Sequence, residues 1–214
     1  MNTGTGDRMS NDPGAWEEEY ARRGVLWGGA VHHLPPLQAG ARVLELGCGN
    51  GKTLSAMIQR GWAVTAIDLS PRAVEMSRAI TGRLQSGDTC LADARRLPFA
   101  PMTFDAVFAI HILSHLQKND RTRTAAESER VLKKGGILYF SGFSTDDFRA
   151  GTGCTTEPGT VRRGTGISTH YFTEPETQDL FCRFHRELIL THRWSMQVRG
   201  QALTRAEVQA TFIK

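Results

Sequence analysis

An α/β fold, with a parallel sheet covered by helices on both faces, is predicted by three observations on this chain of 214 residues. Short apolar runs alternate with helix-period stretches between residues 41 and 141. A glycine-rich turn follows the first of those runs directly. Acids lie at or beside the carboxyl ends of the first three runs, at Glu45, Asp68 and Asp93. Strands that alternate with helices must be joined by crossovers, so neighbouring strands run parallel.

The elements follow in order. A strand is expected over 42–46, after which Leu54, Met57 and Ile58 recur at the spacing of one helix face. A second strand over 63–67 leads to Ser70 and Pro71, an N-cap and a first-turn proline opening a helix to about residue 84. Short strands come next over 89–92 and 105–110. The following helix is expected over 120–134, with a Glu129–Lys133 pair at i, i+4 and a stop at Gly135-Gly136. A fifth strand covers 137–141.

Beyond Ser144 the period is lost. Residues 149–171 hold five glycines together with Arg149, Arg162, Arg163 and His170, and read as a long loop of the kind that usually carries function or is disordered. Thr173 and Glu176 form a capping box for a helix to about residue 184. Extended segments over 186–198 and 207–213 meet at a turn around Gly200 as an antiparallel hairpin. The length fits one domain over 1–214, with residues 1–40 as an N-terminal flap carrying Trp16, Tyr20 and Trp27, and residues 145–172 as an insertion after the fifth strand.

Composition excludes several classes. Hydrophobic residues are 40%, charged residues 22%, and no run approaches the ~18 apolar residues of a membrane helix. The first fourteen residues carry no apolar signal segment, so a cytoplasmic setting with free thiols is expected for Cys48, Cys90, Cys154 and Cys182, none of which forms a CxxC pair. His111 and His115 stand four apart, but no carboxylate lies close to them, and no metal is expected. Only five of the 26 basic residues are lysine. Arginine suits bidentate grip on planar anions, yet a dispersed net charge of +4 does not by itself imply nucleic acid.

The chemistry begins at Glu45-Leu46-Gly47-Cys48-Gly49-Asn50-Gly51-Lys52-Thr53. A phosphate-cradling Walker loop would need its first glycine at 46, which is Leu46. A dinucleotide fingerprint would need its third at 52, which is Lys52. What remains is Gly-x-Gly-x-Gly with an acid two residues before it, a turn whose backbone approaches a ligand lacking phosphate. Glu45 can accept from an ammonium group or from loop amides. Asp68, closing the second strand, can take both hydroxyls of a ribose. Asp93, closing the third, can accept from an adenine amino group. Acids at successive strand ends converge on one crevice.

These residues resemble a class I S-adenosylmethionine-dependent methyltransferase of the broad group that includes the quinone-biosynthesis methyltransferases. The blocks occur in order: Val43 to Gly51, Ile67-Asp68-Leu69-Ser70, Ala92 to Phe99, Phe104 to Ile110 with Ser114-His115-Leu116, and Arg130 to Gly136. They cover residues 41–143. The resemblance implies a Rossmann-like, seven-stranded, mostly parallel sheet with an antiparallel last strand, and S-adenosyl-L-methionine as cofactor. It further implies that Gly47, Cys48 and Gly49, with Glu45 before them, line the methionine part. Asp68 would hold the ribose and Leu69 would pack on the adenine. Asp93 and Ala94 would read the adenine edge. Ile110 and His111 would border the amino group and the methyl, and Tyr20 and Trp27 would close over the cofactor.

The implied reaction is an in-line displacement in which positioning dominates. For an oxygen nucleophile, His111, His115 or His170 is the nearest candidate base, with His115 expected to be structural. A small anionic acceptor is expected under the insertion, where Arg162 and Arg163 could clamp a carboxylate or phosphate beside His170 and Tyr171. An RNA- or protein-modifying methyltransferase and a non-catalytic cofactor-binding protein are the alternatives. The absence of an appended RNA-binding domain and of a continuous basic stripe weighs against nucleic acid.

Overall fold

The computed structural model describes residues 13–26, 34–164 and 166–214. In chain order its strands are β1 (Arg42–Leu46), β2 (Ala63–Asp68), β3 (Asp88–Leu91), β4 (Phe104–Ile110), β5 (Leu132–Phe143), β6 (Cys154–Glu157), β7 (Thr160–Arg162), β8 (Ser168–His170), β9 (His185–Val198) and β10 (Gln201–Ile213). The helices are α1 (Pro13–Arg23), α2 (Lys52–Gln59), α3 (Pro71–Leu84), α4 (Lys118–Val131) and α5 (Glu174–Leu180). Seven strands form one sheet in the order β3-β2-β1-β4-β5-β10-β9. From β3 to β5 all pairings are parallel, and β10 runs antiparallel to both of its neighbours. The strand order reverses at β1, which has β2 on one side and β4 on the other, so a crevice opens there beyond the strands' carboxyl ends.

The alternation of strand side chains builds two cores. Leu44, Leu46, Val107, Ala109, Leu138 and Phe140 meet Ala125 and Val131 of α4 and Phe181 just after α5. Their alternates Val43, Ala106, Phe108 and Tyr139 meet Leu54, Met57 and Ile58 of α2. Both faces of the central strands are therefore covered, which is why these strands read as continuous apolar runs. On β10 the alternation differs. Val208, Ala210 and Phe212 enter the first core, while Arg205, Glu207 and Gln209 lie on the opposite face.

Three local outcomes depart from expectation. First, α4 ends at Val131, and Leu132 is already extended. The register on β4 then jumps from Phe104↔Leu132 to Ala106↔Ile137, with Gly135 at φ +72°. Gly135-Gly136 thus forms a bulge entering β5 rather than a helix stop. The Glu129–Lys133 pair does not form: Glu129 pairs with Arg183 at 2.9 Å and Lys133 with Asp105 at 2.6 Å. Second, residues 149–171 are not a featureless loop, because β6, β7 and β8 make an antiparallel sheet. Third, only half of the capping box exists. Thr173 Oγ1 accepts from the Glu176 N–H at 3.2 Å, while the Glu176 carboxylate turns to His170.

The hairpin forms as expected but is longer. Val198 pairs with Gln201, leaving a two-residue turn in which Arg199 and Gly200 both have positive φ, 49° and 79°. Two positive φ values match the right-handed twist of hairpin strands. The flap helix α1 is docked at the start of α3, where Glu17 accepts from Ser70 Oγ at 2.6 Å and pairs with Arg72 at 3.1 Å. Trp27 lies outside the described residues.

Phe140 is fully buried, with its ring 5.0 Å from Phe172 and 5.5 Å from Phe181. Phe140→Ala is expected to cost about 3–5 kcal/mol, read as a lower urea midpoint at an unchanged m-value.

Candidate active site

At the switch point the loop after β1 is folded by its own glycines. Gly47, Gly49 and Gly51 have φ of 69°, 53° and 76°, a region that side chains resist. A Cβ at Gly47 would lie 3.1 Å from Ile112, so the backbone passes close under the segment that follows β4. The loop is tied to β2 twice: Cys48 N–H donates to Ile67 O and Gly49 N–H to Asp68 Oδ2, both at 2.9 Å. Asp68 Oδ1 accepts from Ser70 N–H at 2.9 Å. Burial pushes the Asp68 carboxyl up, and the amides of Ser70, Gly49 and Leu69 work against that rise.

A cavity of about 670 Å³ opens above this loop, within the usual range for a cofactor pocket. Its walls include Tyr20, Glu45, Gly47, Cys48, Gly49, Asp68, Leu69, Asp93, Ala94, Ile110 and His111. All of the expected cofactor residues that the structure describes are therefore brought together. Leu69, an apolar side chain 36% exposed, faces this space. Asp93 is gripped by Arg95, whose Nε and Nη2 lie 2.9 and 2.7 Å from Asp93 Oδ2. Burial would raise the Asp93 carboxyl, but the Arg95 hydrogen bonds outweigh it and hold the group low. The Cys48 thiol is driven well above its usual range, chiefly by burial.

Glu45 is 3% exposed and its Oε2 has no described hydrogen-bond partner. Desolvation, reinforced by the charge of Asp68 and opposed by a hydrogen bond from Thr53, pushes its carboxyl up to about 8. A buried acceptor without a partner is costly, and a cationic ligand group in the cavity would relieve it.

The cavity also has a stretch of wall that sequence reasoning missed. Phe143 of β5, Trp194 of β9 and Arg205 and Glu207 of β10 line it. His111 Nε2 lies 3.3 Å from Glu207 Oε1. Trp16 of α1 borders the cavity and sets its ring at 4.8 Å, edge-on, to His115. The polar period-two stripe Arg205, Glu207, Gln209 was visible in the sequence, but its polarity reads equally as a solvated face.

The expected acceptor-binding residues lie elsewhere. Arg162, Arg163, His170 and Tyr171 are not among the residues lining the cavity. His170 is 2% exposed, held between Thr160 Oγ1 and Glu176 Oε1 at 2.7 Å each. It joins β8 to β7 and α5, so it is unavailable as a base. Arg163 binds Tyr171 Oη at 2.7 Å and the carbonyls of Thr152 and Arg149, closing the insertion on itself. Arg162 sits in β7, half-buried. The arginines that line the cavity are Arg95, which is paired with Asp93 and Asp120, and Arg205. His115 bonds Ser168 O through Nδ1 at 3.0 Å and tethers the insertion to the segment after β4. Burial drives its imidazole down to about 4. Among the described residues no cluster of three metal-ligating side chains occurs, and no helix is long and apolar enough to cross a membrane.

Fold and crevice define a Rossmann-like protein built to hold a nucleoside-bearing cofactor without a phosphate cradle. Comparison with known proteins specifies it further. A methyltransferase domain profile matches residues 44–140. A ubiquinone biosynthesis O-methyltransferase of Xanthomonas euvesicatoria is 30% identical over 165 residues, 66% of each chain. A 27-O-demethylrifamycin SV methyltransferase of Amycolatopsis mediterranei is 35% identical over 112 residues, covering 50% of this chain and 40% of the relative. A solved S-adenosylmethionine-dependent methyltransferase from Methanosarcina mazei superposes with a TM-score of 0.67 at 26% identity, over 83% of this chain and 94% of that one. The chain thus spans between 40% and 66% of the length of these two curated relatives. It belongs to the class I S-adenosylmethionine-dependent methyltransferases, whose cofactor is S-adenosyl-L-methionine. The site fits that group: the glycine turn leaves room for it, and Glu45 offers its ammonium a buried, unsatisfied oxygen.

The raised Glu45 carboxyl has a sign that can be tested. A folded-state value near 8 against an unfolded value near 4.5 means the folded state binds the extra proton. Ligand-free stability is therefore lost as pH rises through that window. His115 contributes the opposite slope, losing stability as pH falls toward 4, and it is common to both proteins compared. Glu45→Gln is expected to remove a decline on the order of a few kcal/mol between pH 5 and 8, measured as parallel thermal melts of the two proteins.

Proposed function

We propose that the chain transfers a methyl group from S-adenosyl-L-methionine to a small anionic molecule by in-line displacement. The observation that carries this is one cavity lined both by the Gly47–Gly49 turn, Asp68 and Leu69 and by His111, Phe143, Trp194 and Arg205. The bound sulfonium supplies an activated methyl and a good leaving group. Glu45 takes the ammonium end, Asp68 the ribose hydroxyls, Leu69 the adenine face, and Asp93 with Ala94 the adenine edge. Trp16 and Tyr20 exclude water from above. Positioning of this kind is worth roughly 7–11 kcal/mol.

Arg205 supports the anionic acceptor in place of Arg162 and Arg163. Asp147, whose side chain is fully buried, pairs with both Arg149 and Arg205 at 2.7 Å, so Arg205 shares that carboxylate and keeps a guanidinium at the cavity wall beside Glu207. The names of the relatives support a small-molecule oxygen acceptor, since two are described as acting on a rifamycin and in ubiquinone biosynthesis. Nucleic acid is disfavoured because Arg95, Arg121, Arg130, Arg149 and Arg193 are each paired with carboxylates of the same chain. The same reading places the chain in the cytoplasm, where its four free thiols persist.

S-adenosylhomocysteine, but neither NAD nor ATP, is expected to raise the melting temperature. Asp68→Ala should weaken S-adenosylhomocysteine roughly 10–100-fold, since each lost hydrogen bond to a charged group is worth ~1.5–3 kcal/mol. Tritiated methyl incubated with a size-fractionated extract should appear in the small-molecule fraction. Label in RNA or protein, or no stabilisation by S-adenosylhomocysteine, would reject this function.

A further inference from the structure

We infer that the outer edge of β9 is the interface with a second copy of this chain: two β9 strands pair antiparallel about Leu190 and join two sheets into one.

The edge is long and open. β9 closes the seven-stranded sheet, and among the described residues no strand lies beyond it. At the opposite margin β3 has only four residues, against fourteen in β9, and a very short edge strand is one way in which proteins avoid unwanted pairing. β9 carries neither proline nor lysine, which are other usual guards. The turn at Arg199-Gly200 makes Val198 and Gln201 the first hydrogen-bonded pair of the hairpin. Even-numbered residues from 188 to 198 therefore exchange bonds with β10, and odd-numbered residues from 189 to 197 turn their N–H and C=O groups outward. The far side of β10 follows the same alternation, since Ala206 O accepts from the Ser144 N–H and Thr204 O from the Phe148 N–H. Beside this row of outward groups, Leu188 and Leu190 are 49% and 36% exposed. Free backbone groups next to exposed leucines are a template for strand addition.

The charges select a second copy and its register. Glu187-Leu188-Ile189-Leu190-Thr191-His192-Arg193 has an acid at one end, a base at the other and its apolar residues between them. Glu187 stands exposed at the bulge that ends the regular pairing with β10. Antiparallel pairing about Leu190 sets Glu187 opposite the partner's Arg193, and two-fold symmetry makes the same contact twice. It also sets Leu190 against the partner's Leu190, Ile189 against the partner's Thr191, and Arg186 beside the partner's Trp194, a cation against an indole. A register centred on Arg193 would oppose it to the partner's Arg193, and parallel pairing in register would bring like charges together throughout. Arg193 already holds Asp146, yet its side chain is 54% exposed, which leaves a side for a second carboxylate. Even-numbered residues share the face of the sheet that carries His192 and Trp194, both of which line the cavity. The partner's Leu188 and the partner's Arg186 therefore extend that wall.

Sedimentation velocity of the full chain over a dilution series tests the interface, with wild type expected at twice the mass of one chain. Glu187→Lys and Arg193→Glu, each alone, oppose like charges at both contacts and are expected to raise the dimer dissociation constant at least ~10-fold. An equimolar mixture of the two variants should recover the dimer. In that mixed pair the introduced lysine faces the introduced glutamate and the two native charges face each other. Thr191→Pro removes an outward N–H and no bond to β10, a place where an edge strand accepts proline, and it should sediment as a monomer with the circular dichroism of wild type. A monomeric wild type overturns the interface. A dimer that survives Thr191→Pro puts the contact on another face and overturns it as well, and a mixture that stays monomeric overturns the register.

Discussion

The Asp68 carboxylate at the end of β2 is the point on which the site depends. One oxygen receives the Gly49 N–H and the other the Ser70 N–H, so a single side chain fixes the glycine turn to the start of α3. Ser70 in turn donates to Glu17 and caps Ala73, which places α1 over the crevice. Removing one half-buried acceptor would therefore loosen the turn, the helix start and the flap helix together. Its other lone pairs remain available to a ligand, and beside it the buried Glu45 carboxyl is pushed up to about 8, in part by the Asp68 charge.

A second constraint is charge accounting at the opposite wall. Asp147 is fully buried and accepts from two arginines, with burial opposing its ionisation and their hydrogen bonds driving it down to about 2. Such a shared carboxylate leaves Arg149 and Arg205 jointly one charge in excess over Asp147, which Glu207 beside Arg205 offsets. The excess lies beside aromatic faces, Phe143 under Arg149 at 4.6 Å and Trp194 under Arg205 at 5.4 Å, where a guanidinium is favourably placed. The cavity thus sets the carboxyl groups of Glu45 and Asp68 in one part of its wall and the opposite charges of Arg205 and Glu207 in another.

The parallel half of the fold was legible because buried strands cannot disguise themselves: Val43 to Leu46 and Ala106 to Ala109 have apolar neighbours on both faces, and the glycines and acids at their ends have few other uses. The insertion was not legible. Its strands are three or four residues long, too short to show a period, and His170 looked reactive because its partners Thr160 and Glu176 are distant in sequence. Arg162 and Arg163 looked like a clamp for a related reason: Arg162 ends β7 and Arg163 lies just beyond it, with partners at Thr152, Arg149 and Tyr171 that the sequence does not bring near. Gly135-Gly136 misled in the other direction, since glycines end helices and open bulges by the same freedom at positive φ.

Glu207 shows why site residues on the C-terminal hairpin escape a reading of motifs. In 205–212 the apolar residues fall on the even positions, and the odd ones carry Arg205, Glu207, Gln209 and Thr211. An outer antiparallel strand with one polar face is ordinarily a solvated strand, and nothing local says otherwise. The face becomes part of a site only because β5 pairs with β10 so that Phe143 stands opposite Glu207 and Ser141 opposite Gln209, while β4 delivers His111 next to Ser141. Three strands remote in sequence have to be in register before the carboxylate meets the imidazole. A slip of one residue in β10 would turn Glu207 into the core and Val208 into the cavity, at a cost the buried Val208, Ala210 and Phe212 impose. The hydrophobic face of β10 therefore holds the polar face in place, and the packing that stabilises the sheet also positions the pair.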